Sequence, residues 1–133
     1  MSALFADTFF FIALLVPQDK MHARANAIID SFDSTIVTTT WVLFEVGDAM
    51  ASPANRPAFG RLLDWLHNHP LIKILPPADE QFEQATSLFL QRHDKSWSLT
   101  DCASFHVMTD LGITEALTGD HHFEQAGFVA LLK

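Results

Sequence analysis

The chain has 133 residues, room for one domain spanning 1–133, and 49% of them are hydrophobic, with twelve Phe and three Trp to fill a core. Sixteen acidic residues against eight Lys and Arg give a net charge of −8, which argues against a protein that coats nucleic acid through a basic surface but leaves room for an enzyme whose acids bind cations. Cys102 is the only cysteine, so an intramolecular disulfide and a cysteine-based zinc site are both excluded.

In chain order, Leu4-Phe5-Ala6 reads as a short strand ending at Asp7, and Thr8 to Leu15 as a short apolar helix stopped before Pro17. The apolar run Phe9 to Val16 is too short to span a bilayer, no Lys or Arg precedes it, and Asp7 stands at its entrance, so a soluble, cytoplasmic protein with no membrane partner is expected. Asp19 to Phe32 reads as a second helix, with Met21, Ala25, Ile28, Ile29 and Phe32 at helical spacing. The β-branched run Ile36-Val37-Thr38 reads as a strand, and Thr40 caps a helix to about Met50. A helix over about Ala58 to His67 follows, then a strand over Leu71 to Leu75 closed by two prolines. Asp79 opens a helix through Phe89, Ser98 to Leu111 is another that stops at Gly112, and Glu115 to Thr118 is a strand. A helical turn over His121 to Gln125 and a last strand over Phe128 to Leu132 complete the chain. Strands separated by helices imply parallel crossovers, hence an α/β fold of three layers with a central parallel sheet of four to five strands.

In such sheets ligands bind outside the carboxyl ends of the strands. Asp7 follows the first strand directly, and Asp120 follows the Glu115–Thr118 strand by one glycine. Asp101 falls in the first turn of one helix and Glu45 in the first half of another, and helix starts face that same edge. Converging carboxylates raise each other's pKa unless a cation lies among them, and hard oxygen ligands suit Mg²⁺ or Mn²⁺. Each acid also has a plainer reading. Asp7 can cap the next helix, Ser98 to Asp101 matches a capping box, Asp120 can belong to a turn with Gly119, and Glu45 can lie on a solvated stripe with Asp48.

Four blocks of sequence bear on the choice. They are Asp7-Thr8 after the first strand; Thr38 to Glu45; Trp97 to Phe105, which holds Ser98-Leu99-Thr100-Asp101; and Leu117 to Phe123 followed by Gly127-Phe128. In order and spacing these resemble the motifs of PIN-domain proteins over essentially the whole chain, the third and fourth blocks being the specific ones. The resemblance implies a PIN-like parallel sheet between helices and a Mg²⁺- or Mn²⁺-dependent ribonuclease that hydrolyses RNA phosphodiester bonds. It also implies Asp7, Glu45, Asp101 and Asp120 as metal-binding and catalytic residues, with Thr8, Thr100 and Thr118 supporting them. The family includes VapC-type toxins held inactive by a small antitoxin, and an antitoxin and a homodimeric state are expectations carried by that resemblance.

Other features receive plainer readings. The pairs His67/His69 and His121-His122 lack zinc-protease spacing, and His121, next to Asp120, reads as structural or substrate-facing. Lys20, Arg24, Arg92 and Lys95 are the cations nearest the acids in sequence, able to guide phosphates but equally well read as solvated charges. Phe9-Phe10-Phe11 reads as core, with part of it a candidate dimer face. Three rivals remain in view. A phosphorylated receiver domain wants adjacent acids after the first strand, which Asp7 lacks; an Asp-x-Asp phosphatase is excluded by Phe9; and a catalytically silent interaction module is disfavoured by four intact acids.

Overall fold

The structure, a computed structural model, describes residues 3–133. Its elements are β1 (Ala3–Ala6), α1 (Thr8–Leu15), α2 (His22–Ser31), β2 (Thr35–Thr39), α3 (Thr40–Ala49), α4 (Arg56–Asn68), β3 (Ile72–Leu75), α5 (Asp79–Gln91), α6 (Leu99–Leu111), β4 (Glu115–Leu117), α7 (His121–Gln125) and β5 (Val129–Ala130). The strands form one five-stranded sheet in the order β3-β2-β1-β4-β5 with every pair parallel. Helices flank it, giving the expected three layers.

Strand β1 is central, bonded to β2 on one side and β4 on the other. A parallel strand covered on both faces reads as a continuous apolar run, and Phe5 and Ala6 are fully buried. The chain winds outward from β1 through β2 and β3, then returns to the other side of β1 as β4. That change of direction opens a crevice at the carboxyl ends of β1 and β4, where ligands of open α/β sheets bind. Helix α6 is buried on most of its surface from Asp101 to Met108, with Cys102, Ala103, Phe105, Val107 and Met108 in the core. Phe10 and Phe11 are core, while Phe9 is half-buried.

Most element ends lie within a residue or two of the sequence reading, and three of the differences have a visible cause. Helix α2 starts at His22 rather than Asp19, because Asp19 Oδ1 accepts from the Met21 amide at 2.8 Å and holds the chain in a turn. Strand β4 ends at Leu117, and Thr118 turns back with its amide on Ala116 O at 3.0 Å. Strand β5 is two residues long, although Leu131 N and Leu132 N still donate to Ala116 O and Thr118 O at 3.0 Å each. No helix among the described residues is long and apolar enough to cross a membrane.

Candidate metal centre

Asp7 is the first residue beyond β1, and its amide donates to Leu117 O at 3.4 Å, prolonging the β1–β4 pairing by one step. It occupies the N-cap position of α1, yet its side chain makes no capping hydrogen bond. Its Oδ2 instead accepts from the fully buried Thr118 hydroxyl at 3.0 Å. The capping explanation for Asp7 therefore fails, and the carboxyl, 4% exposed, is turned to other work. Burial pushes its pKa up to about 7, the negative charge of Asp101 adds to the rise, Thr118 partly offsets it, and Glu45 raises it further.

Glu45 stands on α3, half-buried, and its Oε1 accepts from the Thr8 hydroxyl at 2.6 Å. Asp101, 7% exposed, does close a capping box: Ser98 N donates to its Oδ2 at 3.0 Å, and its own amide donates to Ser98 Oγ at 2.9 Å. The same Oδ2 lies 3.0 Å from His122 Nδ1, whereas no hydrogen bond engages Oδ1. Capping thus occupies one oxygen and leaves the other available. Burial also raises the Asp101 pKa, with Asp120 adding to the rise and Ser98 N–H and His122 opposing it. Asp120 caps α7 through Oδ1, which accepts from His122 N at 2.9 Å, and its amide donates to Thr118 Oγ1 at 3.1 Å.

Charge thus links the four acids in a chain, Glu45 and Asp101 acting on Asp7 and Asp120 acting on Asp101. No Lys or Arg among the described residues forms an ion pair with any of them. The cations singled out in the sequence lie elsewhere. Arg92 pairs with Asp94 and rests over the Trp97 ring, and Arg24 donates to Leu131 O. Clustered carboxylates, two of them buried and none paired with a Lys or Arg among the described residues, form a donor set suited to a hard divalent cation.

Of the three threonines expected to support the acids, Thr8 hydrogen-bonds to Glu45 and Thr118 to Asp7. Thr100 makes no hydrogen bond to any of them and instead lines a cleft beside Glu45. The sequence reading missed His122. Its Nδ1 sits 3.0 Å from Asp101 and 3.5 Å from Asp120, and with Asp120 and His121 it forms a group whose ligand atoms lie within 4.8 Å of one another. The available signal was its position two residues after Asp120, which places its amide and its ring on the same capped turn.

The PIN domain family model matches residues 4–129. The 23S rRNA-specific endonuclease VapC20 of Mycobacterium tuberculosis, in strains CDC 1551 / Oshkosh and ATCC 25618 / H37Rv, is 28% identical over 127 residues, 95% of each chain. The crystal structure of Mycobacterium tuberculosis VapC20, a sarcin–ricin loop cleaving toxin, superposes with a TM-score of 0.87 and 25% identity, covering 98% of this chain and 99% of that one. FitAcB from Neisseria gonorrhoeae shares the fold, with a TM-score of 0.66 at 22% identity. With all four motif blocks gathered at one sheet edge and the match running almost end to end, this chain belongs to the PIN domain family.

Proposed function

We propose that the chain is a metal-dependent ribonuclease, the toxin of a toxin–antitoxin pair, with Asp7, Glu45, Asp101 and Asp120 holding Mg²⁺ or Mn²⁺. The observation that carries this reading is a cluster of four carboxylates with no Lys or Arg counterion around a buried Asp7 whose pKa is raised to about 7. A bound ion supplies charge neutralisation at the phosphodiester and an activated water for in-line attack.

The chain's own residues do the positioning. Thr118 fixes the Asp7 carboxyl, Thr8 fixes Glu45, and the Ser98 capping box holds Asp101 while leaving its Oδ1 without a partner. His122 lies against both Asp101 and Asp120 and sets their spacing. Because no Lys or Arg among the described residues pairs with the acids, an Arg or Lys from a small antitoxin has a place to fill beside Asp7 and Glu45, and Arg can engage carboxylates bidentately. Such a partner cannot seat on Phe10 and Phe11, which are core. Working as a homodimer in the cytoplasm completes the reading, and sedimentation of the purified chain tests the dimer.

The direct test is expression of the wild-type chain and of Asp120→Asn in a bacterial host, with cleavage sites mapped by primer extension. Ribosomal RNA is the first target to map, since VapC20 acts on 23S rRNA. Growth arrest with discrete RNA cuts from the wild-type chain alone is expected. Harmless expression with intact RNA would overturn the toxin reading.

A further inference from the structure

Beside the acid cluster lies a cleft of about 270 Å³ walled by α3, α5 and α6. Glu45 and Thr100, the neighbour of Asp101, both line it, so it is continuous with the candidate metal centre. The rest of the wall is largely aromatic and apolar, including Trp41, Phe44, Phe82 and Leu99. Phe44 is 72% exposed and Phe82 51%, so both rings offer apolar surface at the cleft. The Trp41 indole N–H donates to Gln81 Oε1 at 2.8 Å, and its ring lies 6.5 Å from that of Phe82 at a tilt of 36°. With its only donor satisfied, what Trp41 offers the cleft is its ring.

No Lys or Arg lines the cleft, and its ionisable groups are Glu45 and Asp48. A phosphate is therefore repelled from it. A single planar ring system fits the volume, stacks on the aromatic walls, and is already tethered nearby if its phosphate is held at the acids. We infer that this cleft is a stacking subsite for one unpaired base of the RNA, adjacent to the phosphodiester at the acid cluster. The inference rests on the nuclease reading for its substrate.

Neutral nucleosides separate the two claims, because they carry no phosphate and need neither metal nor cleavage. Adenosine titrated into the wild-type chain is expected to shift the Trp41 indole signal and the amides around Phe44, Phe82 and Thr100 in NMR spectra. Phe44→Ala and Phe82→Ala, both at exposed positions, are expected to lose the response. In RNA cleavage, Phe82→Ala is expected to raise KM roughly five- to hundred-fold, the scale of one lost base–aromatic stack, with kcat little changed. Adenosine binding at the cleft without any RNA cleavage would overturn the nuclease reading and leave the base subsite standing. Cleavage with no adenosine response and an unchanged KM in Phe82→Ala overturns the subsite. So does a co-purified protein whose apolar segment fills the cleft and leaves RNA affinity untouched by the two variants.

Discussion

Asp7 carries the largest electrostatic burden of any residue in the cluster. Its pKa moves from 3.8 to about 7, chiefly through burial. A raised carboxyl pKa means that the folded state binds the proton more tightly than the unfolded state, so metal-free stability falls as pH rises from about 4 to 7 and is flat above. The shift corresponds to about 4 kcal/mol lost across that window. Asp7→Asn cannot ionise, and its metal-free melting temperature is expected to exceed that of the wild-type chain at pH 8, with the gap closing toward pH 4. Thermal melts in EDTA across that range check this; a gap that is absent or grows toward low pH contradicts it. His122 supports a separate prediction. It lies within hydrogen-bond reach of Asp101 and beside Asp120, so His122→Ala is expected to weaken Mn²⁺ binding roughly 10- to 100-fold while the chain stays folded, as loss of a residue that orients ligands does. Calorimetric titration with Mn²⁺ reads it directly. That the four acids lie near one another was legible in the sequence, because position after a strand or at a helix start is a local property, while their proposed role as metal ligands came from the motif resemblance. His122 was not, because its contact with Asp101 spans 21 residues and depends on how α7 packs on α6.

At the scale of elements, the strands and helices followed from apolar periodicity and from Pro and Gly punctuation, and the errors fell at their ends. Asp19 was read as a helix start, but its side chain closes a turn on Met21. The strand end at Leu117 depends on Thr118, whose side chain bonds Asp7 and the Asp120 amide rather than continuing the ladder. The turn Thr118-Gly119-Asp120 shows why a glycine is needed there. A Cβ on Gly119 would come within 2.8 Å of Leu132 O and press on the Phe9 ring, so the segment after β5 and the Phe9 side of α1 close over it. Gly119→Ala is therefore expected to destabilise the chain by roughly 1–3 kcal/mol, the usual scale of overpacking, and to weaken metal binding by displacing Asp120. Urea unfolding combined with a Mn²⁺ titration distinguishes this from a purely structural loss, which would leave metal affinity unchanged. The topology was legible only as a class. Parallel crossovers followed from alternation, whereas the return of β4 to the far side of β1 is a long-range packing choice that no local pattern encodes.

Over the whole molecule, the net charge of −8 has a local meaning, since part of that charge is gathered where no Lys or Arg among the described residues pairs with it. A ligand that binds only the folded state raises its stability, so millimolar Mn²⁺ is expected to increase the melting temperature relative to EDTA. The same concentration should do markedly less for Asp7→Asn. The central claim is that these four acids form the centre of a metal-dependent ribonuclease, and cleavage of 23S rRNA by the purified chain tests it most directly. The account predicts discrete cuts with Mn²⁺ or Mg²⁺, none in EDTA, and at least about a hundred-fold loss in Asp7→Asn and in Asp101→Asn, on the scale of losing an oriented metal ligand. Asn can still serve in the capping box, so Asp101→Asn keeps its helix start. Cleavage that persists in EDTA, or that survives both substitutions, contradicts the account.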